Sequence, residues 1–236
     1  MARVVFIGAG PGAADLITVR GLARLRAADV VLADALIDPA LRAEAAPDAR
    51  WIDVGKRGFS TDSTGQARIN ALLVESAREA RLVARLKGGD PSLFGRLEEE
   101  LQALAEAGIA AEVVPGVSAA LAAAAITQCP LTRRGTGRSV AFSTAMTQAG
   151  ALEARRSADT EVFYMAGRQL DALGRKLLDV GWPADTPALV VSRAGWPDQR
   201  ISRHTVGTLA EAVDPHAGRP TLVTVGHGAR PIVVTP

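Results

Sequence analysis

Cysteine and histidine are scarce: Cys129 is the sole cysteine and His204, His216 and His227 are the only histidines in 236 residues. A disulfide framework and a Cys/His structural zinc site are thereby excluded, and a lone thiol fits a reducing, cytoplasmic setting. Long hydrophobic runs are also missing. The stretch Val117 to Ile126 is among the longest, short of the roughly 18 apolar residues a membrane span requires. The amino terminus enters a strand-like run without a signal-peptide profile, so no leader and no membrane partner are expected. Aromatic residues make up 4% of the chain and the formal net charge is +2 with no basic block, which argues against a nucleic-acid partner. Lysine is nearly absent too. Of 27 basic residues only Lys56, Lys87 and Lys176 are lysines, leaving 24 arginines. Arginine is the default cation, and each lysine is a candidate for a specific role.

What is present is an alternation of short β-branched runs with amphipathic segments. Strands are expected at Val4 to Ile7, Val30 to Leu32, Leu82 to Leu86 and Ala111 to Val114, and helices from about Leu16 to Ala27, Thr64 to Ala80 and Leu97 to Ala107. Apolar strands without polar alternation, separated by helices, indicate a parallel sheet covered on both faces. Ser118 is placed to cap an alanine-rich helix running to Ile126. The stretch Thr127 to Arg138 holds Pro130, Gly135 and Gly137 and reads as a linker or lining loop. Beyond it strands predominate, near 140–143, 161–165, 188–192, 201–205 and 221–225, with one helix over 170–180, which suggests a mixed sheet. The expectation is an α/β chain of two domains, residues 1–134 and 135–236, without repeats of 20–50 residues.

Two glycine-rich turns follow strands: Gly8-Ala9-Gly10-Pro11-Gly12 and Gly88-Gly89-Asp90-Pro91. Both fall on the edge where open α/β sheets bind ligands. The first invites a dinucleotide-binding reading with Asp34 on a ribose, but Pro11 removes a donor where a phosphate cradle needs N–H groups, and a tight turn without ligand is the alternative. Asp34, just past a strand, can take a proton or cap a loop. Lys56 sits beside a glycine after a short strand. Arg96 and Glu99 share a helix face and can pair. Arg133, Arg134 and Arg138 concentrate positive charge suited to carboxylates or phosphates, or form a solvated turn. Met165 closes a strand, where core packing is the ordinary role. Cys129, with no histidine near it in sequence, reads as a small buried hydrophobe.

Nine blocks then occur in order: Ile7 to Gly12, Ala28 to Val31, Val54 to Arg57, Arg85 to Pro91, Phe94 to Arg96, Val113 to Gly116, Pro130 to Thr132, Tyr164-Met165 and Ala184 to Pro187. With them the chain resembles the tetrapyrrole methylase family over nearly its full length, and within it the branch that methylates uroporphyrinogen III. The resemblance implies two α/β domains unrelated to Rossmann methyltransferases, with S-adenosylmethionine bound in the cleft between them. It carries cofactor contacts onto Pro11, Gly88, Gly89, Asp90, Leu93, Ser118, Ala119, Met165 and Ala194. It similarly puts Asp34 and Lys56 in the positions of proton acceptor and donor, and Arg96, Glu99 and Arg134 in the substrate pocket. Arg96 also stands in a catalytic position, with orientation of the substrate as its role because arginine is always charged. The chain departs from the family pattern at Ala13, Ala35, Leu97, Glu98 and Arg133. The implied activity is C-methylation at C2 and C7 to precorrin-2, for sirohaem or cobalamin, by a cytoplasmic homodimer with no metal and no dehydrogenase or chelatase domain. The alternatives are a paralogue acting on a later corrin intermediate, a binder without turnover, and a nicotinamide-dependent oxidoreductase.

Overall fold

The computed structural model describes residues 4–55, 65–145 and 152–232; Lys56 lies outside them. The chain divides into two compact units, Met1–Ser118 and Ala119–Pro236.

The first unit contains β1 (Val4–Gly8), α1 (Val19–Arg26), β2 (Val30–Ala33), β3 (Arg50–Asp53), α2 (Gln66–Glu79), β4 (Val83–Lys87), α3 (Leu97–Glu106) and β5 (Ala111–Val114). The strands lie in the order β3-β2-β4-β1-β5, and every neighbouring pair is parallel. Alternate side chains reach opposite faces. Val5, Ile7, Val31, Ala84 and Leu86 pack with Leu25 of α1, while Val4, Phe6, Leu32 and Val83 pack with Leu73 of α2 and Leu104 of α3. Both faces are covered, which is why these strands read as continuous apolar runs. Helix α1 starts later than expected because the Thr18 hydroxyl caps it, accepting from Gly21 N at 3.1 Å; Ala14–Leu16 form a separate 3-10 turn.

Strands β1 and β4 are neighbours, yet the chain leaves β1 toward β2 on one side and leaves β4 toward β5 on the other. The two connections run past each other in opposite directions at the carboxyl edge of the sheet, the edge where open α/β sheets bind ligands. Gly89 N donates to Gly10 O at 2.7 Å and Gly10 N to Gly89 O at 3.3 Å, stitching the two loops. The loop after β5 joins them: a Cβ on Gly116 would stand 2.3 Å from Gly89 O and 2.7 Å from Gly8 Cα. All the clashing atoms are backbone, so only glycine permits this approach.

The second unit contains α4 (Ala119–Thr127), β6 (Val140–Thr144), β7 (Thr160–Tyr164), α5 (Leu170–Asp179), β8 (Pro187–Ser192), β9 (Arg200–Thr205), α6 (Val213–His216) and β10 (Thr221–Gly226). Its strand order is β6-β7-β10-β8-β9. The β6/β7 pair is parallel and the others antiparallel, giving the mixed sheet expected. Leu170, Leu173 and Leu177 of α5 bury against Phe163, Val190 and Val223.

The division falls after Ser118, not at the expected 134/135. Proline and glycine between 127 and 138 signal a turn, but its polar groups are satisfied inside the second unit. Thr160 Oγ1 donates to Leu131 O at 2.9 Å, Arg133 Nε donates to His227 O at 3.0 Å, and Arg133 also donates to Arg230 O. Arg133 thus braces the turn 133–137, where the backbones of Arg133 and Gly137 bond reciprocally. Cys129 is buried as expected.

Histidines far apart in sequence meet in this unit. His216 is fully buried, with Nδ1 at 2.8 Å from Ser192 Oγ and Nε2 at 2.8 Å from Ser202 Oγ; the latter hydroxyl also lies 2.8 Å from His204 Nε2. Burial, then the fields of His204, Arg200 and Arg219, push the His216 imidazole down from 6.5 to about 4. Hydroxyl partners satisfy a neutral ring in either tautomer.

Two outcomes follow. Gly116→Ala should lower stability by about 1–3 kcal/mol in urea unfolding, because backbone must move to admit the methyl group. As pH falls from 6.5 toward 4, the unfolded chain protonates His216 before the native one does, so stability present above 6.5 is lost across that window. The loss is on the order of 3 kcal/mol, and His216→Gln should flatten it in urea midpoints measured against pH.

Candidate active site

Strand β4 carries two cations in a stretch whose five residues are all buried. Arg85 and Lys87 point to the same face as Val83, toward α2 and α3, and Glu100 of α3 meets them there. Arg85 Nε and Nη2 donate to Glu100 Oε2 and Oε1 at 2.9 and 3.1 Å, and Lys87 Nζ donates to Oε1 at 2.7 Å. Arg85 Nη2 also donates to Asp34 Oδ1 at 2.7 Å, and Nη1 to the carbonyls of Leu32 and Leu86 at 3.4 and 3.2 Å. The side chains of Arg85, Lys87 and Glu100 are 2%, 3% and 1% exposed, while Asp34, past the end of β2, is 29% exposed. Two positive charges therefore face two negative ones, three of the four out of water.

The protonation states follow from that balance. Burial opposes charge on Glu100, but Arg85 and then Lys87 outweigh it and hold the carboxyl below its ordinary value. For Arg85, burial is likewise overcome, by Asp34 and Glu100, and its pKa is raised. For Lys87, burial and the Arg85 guanidinium prevail over Asp34 and Glu100, so its ammonium is the cation of the group that gives up its proton more readily than usual.

Above this quartet lies a cavity of about 290 Å³ lined by Asp34, Lys87, Gly88, Leu93 and Arg96. Four residues singled out from sequence thus come together: Asp34, Gly88, Leu93 and Arg96. Gly55, next to Lys56, and Ala35, a departure from the family pattern, line it as well. Asp34 has one oxygen fixed by Arg85, an arrangement in which a carboxylate can hold or accept a proton on the other. Arg96 pairs with Glu99 through two bonds of 2.7 Å, the pairing expected from their spacing. It stays fully cationic, suited to binding carboxylates.

Pro11, Gly89 and Asp90 belong to the stitched loops. The Asp90 side chain ties its own loop to the one after β5, Oδ2 accepting from Gly116 N at 2.9 Å, while Oδ1 accepts from Ser92 N at 2.8 Å. Gly89 has φ of +72° with open space where a Cβ would project. Ser118, largely buried, ends the first unit.

In the second unit, β7 and β8 are both antiparallel to β10, so their carboxyl ends share one sheet edge. Met165 follows β7 and Ala194 follows β8 there. Ala166 N donates to Thr221 O at 3.2 Å and Arg193 N to Pro220 O at 2.9 Å. Ala119 opens α4, and Ala120 N donates to Tyr164 Oη at 3.4 Å, beside Met165. Arg134 is exposed.

Backbone strain concentrates around these positions. Left-handed non-glycine residues include Arg96 and Met165 themselves, Phe94 beside Leu93, and Arg193 beside Ala194, with φ of 50–58°. Such conformations cost free energy and gather where geometry serves a function. Sequence reasoning did not assign Arg85, Lys87 or Glu100. A signal existed: cations at alternate positions of a buried strand demand a buried partner.

Comparison with known proteins sets this geometry in a family. The model of the tetrapyrrole (corrin/porphyrin) methylases matches residues 3–210. The siroheme synthase of Hahella chejuensis is 41% identical over 230 residues, covering 95% of this chain and 49% of that protein. That of Gluconacetobacter diazotrophicus is 42% identical over 241 residues, covering 99% and 51%. The chain spans about half the length of these curated relatives. Among solved structures, the uroporphyrin-III C-methyl transferase from Thermus thermophilus complexed with S-adenyl homocysteine is 34% identical with a TM-score of 0.83, over 96% of this chain and 98% of that one. A cobalt precorrin-4 methyltransferase is 30% identical with a TM-score of 0.82, over 97% and 96%. Matched over most of its length in sequence and in fold, the chain belongs to the tetrapyrrole (corrin/porphyrin) methylase family.

Proposed function

We propose that this chain is an S-adenosylmethionine-dependent methyltransferase that methylates uroporphyrinogen III at C2 and C7, yielding precorrin-2 on the route to sirohaem or cobalamin. The observation that carries the reading is Asp34, pinned by a buried guanidinium at a cavity that Arg96 also lines. The substrate is a polycarboxylate, and guanidinium forks match carboxylates in geometry and charge. Identity supports uroporphyrinogen III in particular: 41–42% with siroheme synthases and 34% with a uroporphyrin-III C-methyl transferase. The 30% identity with a cobalt precorrin-4 methyltransferase keeps a later corrin precursor as the second reading.

The loops at the carboxyl edge of the first sheet fit a methyl donor with an adenosine and an amino-acid end. Gly89 leaves open space that a side chain would fill, and backbone groups of stitched glycine turns approach a ligand closely. Pro11, Gly88, Gly89, Asp90, Leu93, Ser118, Ala119, Met165 and Ala194 are the residues proposed to hold it. When bound, S-adenosylmethionine supplies an electrophilic methyl group on a sulfonium.

The remaining work falls to the chain's own groups. Asp34 accepts the proton lost from the methylated macrocycle. Lys56 is the proposed donor. Arg96, its guanidinium held by Glu99, orients the substrate carboxylates in the first unit, and Arg134 binds them in the second. Alignment of the acceptor carbon, rather than a strong nucleophile, is the main requirement. A cytoplasmic homodimer is the assembly proposed, which light scattering checks.

Incubation with labelled S-adenosylmethionine and enzymatically made uroporphyrinogen III should give a dimethylated product. Label transferred only to a later corrin precursor would overturn the substrate assignment. Competition binding should favour S-adenosylhomocysteine over NAD(P). Arg96→Ala should raise KM while leaving the urea midpoint where it is in the wild type, because its ion pair is exposed and weakly stabilising.

A further inference from the structure

We propose that Glu100 and Lys87 are positioning residues for Asp34: acting through Arg85, they hold its carboxylate in place and balance its charge, an inference that rests on the proton-acceptor role proposed for Asp34. The connection is continuous. Lys87 Nζ meets Glu100 Oε1 at 2.7 Å, Glu100 takes two bonds from Arg85, and Arg85 Nη2 reaches Asp34 Oδ1 at 2.7 Å. Two backbone carbonyls hold the other end of the guanidinium, so Arg85 has little freedom to swing away from Asp34.

A tie between strand and helix does not need ions. Apolar residues of similar volume often serve as well or better, because desolvating each charge costs several kcal/mol. What the ions add is a fixed sum of charge beside Asp34. The groups facing it are Arg85 and Lys87 from β4, Glu100 from α3 and Arg96 just before that helix, with neutral Gln66 from α2 on the cavity. Asp53, at the end of β3, is exposed and accepts from Trp51 Nε1 at 3.0 Å. Lys56 lies outside the described residues. With Asp34 included, Arg85, Lys87 and Glu100 sum to zero.

The sum makes opposite predictions for the two ends of the chain of bonds. Lys87→Met removes a positive charge from the bonded group that ends on Asp34, so the acid limb of kcat moves up. Glu100→Gln removes a negative charge, and the limb moves down. Displacements of about one pH unit are expected for charges at this remove. The double variant restores the sum and returns the limb toward the wild-type position.

The test is kcat against pH for the full chain with S-adenosylmethionine and uroporphyrinogen III, with circular dichroism at each pH to verify folding. Lys87→Met leaves Glu100 bonded to Arg85, so it tests the inference even if Glu100→Gln fails to fold. Lys87→Arg, which keeps the charge, should return the limb to the wild-type position. An upward shift in Lys87→Met, cancelled in Lys87→Arg, is the expected result. A limb that stays in place, or moves the same way in both single variants, while the wild type turns over, overturns the inference alone. A wild type that transfers no methyl group overturns the role of Asp34 instead.

Discussion

Glu100 places a carboxylate in the interior of the first unit, and two cations from one strand converge on it. Removing it would strip each of these buried cations of a bonded carboxylate, and a buried charge left uncompensated costs several kcal/mol. The consequence runs in both directions along the chain. Toward the core, the ionic tie and the Gln66 and Asn70 bonds dock α3 and α2 on the sheet. Toward the surface, Arg85 is held where it can fix Asp34. Stability and site geometry therefore rest on the same carboxylate.

A second constraint is steric. Gly8 and Gly116 let three loops approach backbone to backbone at the carboxyl edge of the sheet. Strand order brings these loops to one edge, but the closeness of their approach depends on the absence of side chains at Gly8 and Gly116. Asp90 closes the arrangement by accepting from Gly116 N. Preorganisation of this kind lowers the entropy lost when a ligand is bound.

Much of this was legible in the sequence. Runs such as Val4 to Ile7 reveal strands covered on both faces, and the excess of strands over helices after residue 140 reveals a mixed sheet. The glycine turns, Asp34 and Arg96 also stand out in the chain, and the structure brings Asp34, Gly88, Leu93 and Arg96 to one cavity. Other features depend on three-dimensional convergence. Glu100 is one of three consecutive acids at a helix start, and only folding distinguishes it from Glu98 and Glu99. Ser202 joins His204 to His216 across a spacing that suggests nothing. The left-handed backbone at Arg96 and Met165 leaves no trace in residue type. The composition of residues 127–138 correctly signals a turn, yet where its hydrogen bonds go decides which unit owns it.

The central claim is that Asp34, fixed by Arg85, takes the proton that methylation releases. It is tested most directly by Asp34→Asn, which keeps the shape of the side chain and removes its basicity. With labelled S-adenosylmethionine and uroporphyrinogen III, the variant should bind S-adenosylhomocysteine as the wild type does and turn over about 10²–10⁴-fold more slowly. Turnover equal to that of the wild type at unchanged cofactor affinity would contradict the account.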